Sequence, residues 1–238
     1  MNQVILKKLN ESVRPDFAMA KRVIAVGDVH GQFNLLRDLV ENQIKFDPTS
    51  DVLVFLGDYI DRGRSAEDEI AVLNYLIDLH NGNPGKIVLL RGNHEQMAIN
   101  AISNADCEEE QWLWKHNGSK LYSISDLAFR SGLVRFCQSL PLYIEDEWVF
   151  VHAGAYPNIP LEKQPESVLL WDRTENNFGY FDKRLIVGHT PNQTIQKNEK
   201  IVYVDTGAFY YGRLSAYDPK NDTEYSARGP ARSLSIYT

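Results

Sequence analysis

The chain of 238 residues has only two cysteines, Cys107 and Cys137, and neither belongs to a CxxC pair. The sequence therefore predicts neither a disulfide framework nor a thiolate metal site. Long apolar runs are absent too, and none approaches the roughly 18 residues that a membrane-spanning helix needs. The amino-terminal run Val4-Ile5-Leu6 is too short for the apolar core of a signal peptide. These absences predict a soluble, reduced, cytoplasmic protein that contacts no membrane.

Positive charge is in deficit, with 25 lysines and arginines against 32 aspartates and glutamates and a net charge of −7. A chain this acidic has no overall field that would attract nucleic acid or an anionic membrane. A groove for nucleic acid would also need basic residues interleaved with aromatics, and the sequence has no such run. We therefore expect no nucleic-acid partner. If the chain handles phosphate, arginines or metal ions must concentrate positive charge locally.

The remaining composition is ordinary for a globular protein, with 43% hydrophobic and 24% charged residues. A chain of this length forms one domain or at most two small ones. No internal repeat, low-complexity tract or long linker divides it. We therefore predict a single domain over residues 1–238.

Short apolar runs recur along the chain, and each ends abruptly in a glycine or in a residue able to bind a metal. Their length and their apolar character on both faces predict buried strands. Helical patterns separate the early runs, one beginning at Phe33 and another capped by Ser65. Strands that alternate with helices predict an α/β fold. The runs cover residues 23–26, 52–56, 87–90, 148–151, 185–187 and 201–204.

Two regions depart from this alternation. Residues 96–140 carry no strand pattern, so we predict a helical insertion over one end of the sheet. From Ile201 onward we predict short antiparallel strands, with turns at Asp218-Pro219 and Asn221-Asp222.

Residues able to bind metal stand at the ends of the predicted strands, where open α/β sheets bind their ligands. Taken singly, each is more often a turn former or a half-buried histidine, and only their coincidence favours a metal site. Carboxylate, imidazole and amide oxygen without thiolate suit Mn, Fe or Zn. Two metals held ~3.5–4 Å apart need a bridging ligand, which a carboxylate provides best. The residues are Asp28, His30, Asp58, Asn93, His94, His152 and His189.

Three segments resemble the signature motifs of the PPP-type metallophosphoesterases. This is the family of Ser/Thr protein phosphatases, with bacterial and phage members and the related diadenosine tetraphosphate hydrolases. The segments are GDVHG at 27–31, GDYIDRG at 57–63 and GNHE at 92–95, and their spacing fits the family. His152-Ala153-Gly154 and Gly188-His189-Thr190 supply its two later histidines. The resemblance covers about residues 22–212.

The resemblance implies a central β-sandwich flanked by helices, with two divalent metal ions at the strand ends. Manganese is the first candidate, and iron or zinc would also accept this ligand set. Such a metal pair lowers the pKa of bound water enough to supply hydroxide near neutral pH. By the same resemblance the first metal is held by Asp28 and His30, both are bridged by Asp58, and the second is held by Asn93, His152 and His189.

The resemblance also implies the catalytic and substrate-binding residues. His94 would be the general acid on the leaving oxygen, a proton donor suited to pH 7, and Asp61 would orient it. Arg62 and Arg173 would clamp the phosphate, because guanidinium groups bind its oxygens bidentately. Asn93 is assigned to the substrate as well as to the metal.

Five further residues are considered for supporting roles. We expect Arg91 to brace its loop and Glu95 to support the metal ligands from behind. Asp205 is a candidate hydrogen-bond partner for a ligand histidine. We expect Trp112 and Trp114 to pack the insertion rather than line a substrate groove.

The function implied is that of a metal-dependent phosphomonoesterase, a Ser/Thr protein phosphatase acting on a phosphoprotein or phosphopeptide, with some phosphotyrosine activity possible. The alternative is a diadenosine tetraphosphate hydrolase. Symmetrical hydrolases of that kind tend to lack an aspartate at the position of Asp61 and to carry Asn-His-Asp where this chain has Asn93-His94-Glu95. A third hypothesis, a phosphoprotein-binding module without catalysis, would be marked by a missing ligand or acid, and none is missing.

Overall fold

The computed structural model describes residues 6–173, 180 and 182–230, so the amino-terminal residues Val4 and Ile5 lie outside it. Ten strands form two five-stranded sheets in the described part of the chain. The first sheet contains β1 (Arg22–Val26), β2 (Asp51–Phe55), β3 (Ile87–Leu89), β9 (Arg213–Asp218) and β10 (Thr223–Arg228). The second contains β4 (Tyr143–Glu145), β5 (Trp148–Val151), β6 (Arg184–Val187), β7 (Gln196–Lys197) and β8 (Ile201–Tyr203).

The strand order is β10-β9-β1-β2-β3 in the first sheet and β4-β5-β6-β8-β7 in the second. The central strands are parallel, β1 with β2 and β2 with β3, and likewise β5 with β6 and β6 with β8. The other pairs are antiparallel: β1 with β9 and β9 with β10 in the first sheet, and β4 with β5 and β7 with β8 in the second. The parallel strands therefore direct their carboxyl ends toward one edge of each sheet.

The two sheets pack against each other through one apolar layer. Alternate residues of β1 divide between two cores: Val23 and Ala25 meet the second sheet, while Ile24 and Val26 meet the helices on the outer face. Both faces of the central strands are thus buried, which explains why their sequences are apolar throughout. The predicted β-sandwich flanked by helices is confirmed.

The helices are α1 (Phe33–Asp38, continued by a π-helical turn at Leu39–Ile44), α2 (Ala66–Gly82), α3 (Asn93–Ser103), α4 (Glu108–His116), α5 (Leu127–Ser139), α6 (Glu166–Trp171) and α7 (Ala208–Tyr211). Short 3-10 turns lie at Leu121–Ser123 and Leu161–Lys163. Ser65 caps α2 as predicted, since its hydroxyl accepts the Asp68 backbone N–H at 3.3 Å. No described helix is long and apolar enough to cross a lipid bilayer.

The predicted insertion consists of α3, α4 and α5, and it packs against the first sheet through Phe129, Leu133 and Phe136. The carboxyl-terminal hairpin of β9 and β10 is as predicted, but the antiparallel prediction is wrong for one side of β8, which pairs parallel with β6 and antiparallel with β7. Cys107 is exposed, Cys137 is buried, and both are free thiols. The sequence did not indicate β4, β7, α6 or α7, because elements of two to six residues are too short to show a periodicity.

Candidate active site

The polar residues at the strand ends meet where the carboxyl edges of the two sheets adjoin. The turn after β1 carries Asp28 and His30, the turn after β2 carries Asp58, and α3 begins at Asn93 directly after β3. The second sheet contributes one histidine after β5 and one after β6. Every one of these side chains has an exposed fraction of 4% or less: Asp28, His30, Asp58, Asn93, His94, His152 and His189.

Several of these turns use left-handed backbone, which is rare for residues other than glycine. Such a conformation costs about 1–3 kcal/mol per residue, so the surrounding structure must hold it. Part of that support comes from the Asp58 carbonyl, which accepts the backbone N–H of Val29 and of His30 at 3.1 and 2.8 Å. Strain of this kind clusters at functional sites. The positive φ angles are 47° at His30, 54° at Asp58, 64° at Asp61, 61° at Arg62 and 61° at His189.

Asp58 lies between two groups of residues that could each hold a metal ion. In one group it stands with His30 and His94, and in the other with His152 and His189, with the ligand atoms of each group within 4.8 Å of one another. Burial alone would raise the pKa of Asp58, but the four histidines lower it well below its ordinary value. Because it belongs to both groups, its carboxylate is placed to bridge two cations.

In the second group, lone pairs converge on one point. His152 Nδ1 lies 2.8 Å from the Leu56 carbonyl oxygen, which places its proton there. Burial lowers the pKa of His152, so its ring is neutral and Nε2 carries a lone pair. That Nε2 lies 2.8 Å from Asn93 Oδ1 and 3.4 Å from Asp58 Oδ1. Three acceptors facing one another, with the histidine oriented by a backbone carbonyl, fit a divalent cation.

The first group has the same construction. His30 Nδ1 lies 3.1 Å from the Ile60 carbonyl oxygen, which leaves Nε2 to face Asp58 Oδ2 at 3.4 Å. Burial lowers the pKa of His30, and the nearby charge of Arg62 lowers it further. The ring is therefore a neutral imidazole, the form that binds metals.

Asp28 stands somewhat apart from both groups, and each of its carboxylate oxygens lies 3.1 Å from the His189 backbone nitrogen. Burial raises the pKa of Asp28 well above its ordinary value, and the charges of Asp205 and Asp58 raise it further. Buried carboxylates this close repel one another, and a cation between them would relieve that repulsion. The donor set of the whole site thus fits the metal pair that the sequence analysis expects.

His94 is fixed on both sides. Its backbone N–H donates to Asp58 Oδ1 at 3.0 Å, and its ring Nδ1 lies 2.6 Å from Asp61 Oδ2. Trp114 donates from Nε1 to the other oxygen of Asp61 at 3.1 Å. Because Asp61 occupies Nδ1, only Nε2 is free to act at the site, and it lies 3.9 Å from Asp58 Oδ2.

The two predicted clamp arginines approach the site from different sides. Arg62 Nη1 lies 2.7 Å from His30 Nε2, beside the first group, and its guanidinium carbon lies 5.5 Å from the centre of the Tyr210 ring. Arg173 Nε donates to His189 Nε2 at 3.0 Å, beside the second group. Two planar cations thus flank the candidate metal positions, an arrangement suited to the oxygens of a phosphate.

Supporting residues largely follow expectation. The Glu95 carboxylate accepts the backbone N–H groups of Asp58, Tyr59 and Gly92 at 2.8, 2.8 and 2.9 Å, and so holds two of the site turns together. Arg91 braces the insertion by donating to the carbonyls of Cys137, Gln138 and Leu140.

For three further residues, the structure differs from the sequence-based expectation or adds a contact to it. Asp205 accepts the Gly207 backbone N–H at 2.8 Å, which makes it a turn former. Trp112 is 59% exposed, so it does not pack the insertion as expected. Sequence reasoning missed the contact of Trp114 with Asp61, because a hydrogen bond across 53 residues leaves no periodic signal.

Comparison with known proteins agrees with this geometry. Residues 21–222 match the family model of the calcineurin-like phosphoesterases. Serine/threonine-protein phosphatase 1 of Salmonella typhimurium is 31% identical over 210 residues, which cover 82% of this chain and 90% of that protein. The symmetrical bis(5'-nucleosyl)-tetraphosphatase of Methylobacillus flagellatus is 30% identical over 140 residues, 58% of this chain and 45% of that protein. A crystal structure of a protein provisionally named diadenosine tetraphosphatase is alike in fold, with 23% identity and a TM-score of 0.67 over 94% of this chain and 99% of that one.

Proposed function

The chain belongs to the calcineurin-like phosphoesterase family and is a hydrolase of the metallophosphoesterase class, and from this premise we propose that it dephosphorylates phosphoserine and phosphothreonine in proteins. The observation that carries the proposal is the pair of His94 and Asp61, whose ring nitrogen and carboxylate oxygen lie 2.6 Å apart beside Asp58. An alkoxide leaving group needs a proton as it departs, and this pair is built to give one.

Members of this family use divalent metal ions, and the proposed ligands follow the two groups around Asp58. When bound, the metal pair supplies positive charge and lowers the pKa of water enough to give a nucleophile near neutral pH. We assign Asp58 as the bridging ligand because it belongs to both groups. The other proposed ligands are Asp28, His30, Asn93, His152 and His189.

The protein's own cations and its proton donor complete the proposed mechanism. Arg62 and Arg173 bind the phosphoryl oxygens from two sides and stabilise the charge that develops on them. Asn93 also lies against the substrate. Asp61 accepts from His94 Nδ1–H and stabilises the charged imidazolium, so that Nε2–H points toward the leaving oxygen.

The second candidate function is hydrolysis of diadenosine tetraphosphate, which the relative from Methylobacillus flagellatus favours. Two observations favour the protein phosphatase instead. The likeness to the Salmonella typhimurium phosphatase extends over 90% of that protein, against 45% for the tetraphosphatase. In addition, the chain keeps Asp61, which symmetrical hydrolases tend to lack, and Asp61 contacts the proposed acid.

The test compares two substrates on one preparation. After chelation and reloading with Mn²⁺, kcat/KM is measured on a phosphoserine peptide and on diadenosine tetraphosphate, with Fe²⁺ and Zn²⁺ as further loadings. We expect the phosphopeptide to be preferred by at least about tenfold, a difference of ~1.4 kcal/mol in transition-state binding. A preference for the dinucleotide would replace the proposal by the second candidate. Binding of the phosphopeptide without turnover under every loading would indicate a non-catalytic module.

A further inference from the structure

The loop that carries Asp61 and Arg62 has two consecutive residues in left-handed backbone, with φ of 64° and 61°. Its conformation therefore depends on what surrounds it. The backbone N–H of Arg62 donates to the Gly118 carbonyl of the insertion at 2.9 Å, and a Cβ on Gly118 would lie 3.1 Å from Arg62 Cγ. These contacts fix the backbone at Arg62 and thus the direction in which its side chain leaves the loop.

Glu69, in the first turn of α2, is the side chain that holds the end of this loop. Its exposed fraction is 0%, and its Oε1 accepts the Gly63 backbone N–H at 3.0 Å and the Lys120 backbone N–H at 3.4 Å. One carboxylate oxygen therefore joins the loop to the insertion. Contact with the loops is close, since a Cβ on Gly63 would lie 2.6 Å from Glu69 Cγ and one on Gly31 would lie 3.0 Å from it.

Burying this carboxylate costs free energy, and a role in packing alone does not account for it. Its other oxygen, Oε2, is buried with no hydrogen-bond partner, and no cation is paired with it in the part of the chain that the structure describes. Burial raises the pKa of Glu69 to about 8, and the charge of Asp61 also raises it. What the side chain provides to the loop and the insertion is a hydrogen-bond acceptor.

We propose that Glu69 is a positioning residue for Arg62: by fixing the Gly63 N–H against the Lys120 N–H, it sets the direction in which Arg62 enters the phosphate site. Glu69 does not itself contact substrate or metal. The inference rests on the proposed binding of phosphate by Arg62. It predicts that loss of the Glu69 acceptor weakens phosphate binding only as long as Arg62 is present.

The test uses Mn²⁺-loaded protein, p-nitrophenyl phosphate as substrate and inorganic phosphate as competitive inhibitor. The variants are Glu69→Ala, Glu69→Gln, Arg62→Ala and the double variant, with Glu67→Gln as a control in the same helical turn. Glu67 is exposed, so its replacement should change nothing. Metal content and thermal melting are measured for each protein.

We expect Glu69→Ala to lower kcat/KM and to raise the phosphate inhibition constant by about tenfold each, the effect of one lost hydrogen bond. Glu69→Gln keeps the acceptor and should stay within about twofold of the parent. Metal content should not change in either protein. The double variant should have nearly the same kcat/KM and phosphate inhibition constant as Arg62→Ala alone, because the effects of two residues that act through one contact are not additive.

Either of two results would overturn the inference while leaving the phosphate clamp in place. One is that the losses of kcat/KM multiply in the double variant, and the other is that Glu69→Gln is as impaired as Glu69→Ala. An Arg62→Ala protein with parental kcat/KM would instead refute the phosphate clamp itself, and the inference with it. If Glu69→Ala does not fold, Glu69→Asp, whose carboxylate is one methylene short of Gly63, replaces it in the same cycle with the same expectations.

Discussion

The two sheets provide different halves of one site. The turns of the first sheet carry Asp58, which belongs to both candidate metal groups, and the proposed acid pair His94 and Asp61. The fully buried carboxylate of Glu95 accepts hydrogen bonds from the backbone of these turns. The second sheet contributes two histidines and the exposed Arg173. The first half, which in the proposed mechanism transfers the proton, is tied together by side-chain hydrogen bonds to its turns. The second half contributes, in the same proposal, ligands and one positive charge.

The largest effect should come from Asp58, which belongs to both candidate metal groups. Asp58→Asn removes the bridging charge, so hydrolysis of every phosphate ester should fall by more than about 10³-fold, as expected when several kcal/mol of charge stabilisation are lost. Elemental analysis should show reduced metal at both positions. Asp51→Asn, at the opposite end of β2, is the control: it breaks a contact with Arg22 and lowers the melting temperature but should leave metal content unchanged. An active Asp58→Asn protein with two metals per chain would refute the dinuclear assignment.

The next effect tests whether the first half provides the acid. His94→Asn should lower kcat on a phosphoserine peptide by about 10²–10⁴-fold, the usual contribution of general acid catalysis. On an aryl phosphate, whose leaving group is already stable as an anion, the loss should be much smaller, and metal content should not change. His80→Asn, a buried histidine that contacts the Ile87 carbonyl, is the control. Equal losses on both esters together with lost metal would make His94 a ligand of the first group.

A smaller effect compares the arginines of the two halves. Arg62→Ala and Arg173→Ala should each lower kcat/KM by roughly 10–150-fold, which corresponds to a charged hydrogen bond of about 1.5–3 kcal/mol, with metal content unchanged. The loss should be greater for Arg62, because it is partly buried while Arg173 is exposed, and charge interactions weaken in water. A change within about twofold for Arg173→Ala would remove it from the clamp.

The smallest effect concerns the indole that supports Asp61. Trp114→Phe removes the Nε1 donor, so kcat should fall by roughly fivefold, which is about 1 kcal/mol for one hydrogen bond. The loss should be found on the phosphopeptide and not on the aryl phosphate, because Trp114 acts through the acid. Trp112→Phe, on the exposed side of α4, should leave both rates unchanged. An equal loss on both esters would show that Trp114 only stabilises the fold.

Much of the fold could be read from the sequence because its signals are local. A strand buried on both faces requires a continuous apolar run, and the six predicted runs each correspond to a strand of the two sheets. The helix after Ser65 and the carboxyl-terminal hairpin could also be predicted, because the residues that signal them are close together in the sequence. Strand β7, two residues long and exposed, gives no pattern to read.

The sequence by itself determined which residues stand at the strand ends, because ligand types and turn-forming glycines are written side by side in the chain. The resemblance also implied that Asp58 is shared by two metals and that Asp61 orients His94. Only the tertiary structure decided that Trp114 holds the other oxygen of Asp61 and that Glu69 supports the loop of Arg62. These contacts join residues on different elements, and Trp114 lies 53 positions from Asp61. Their geometry follows from how the sheets and the insertion pack, and no local pattern encodes it.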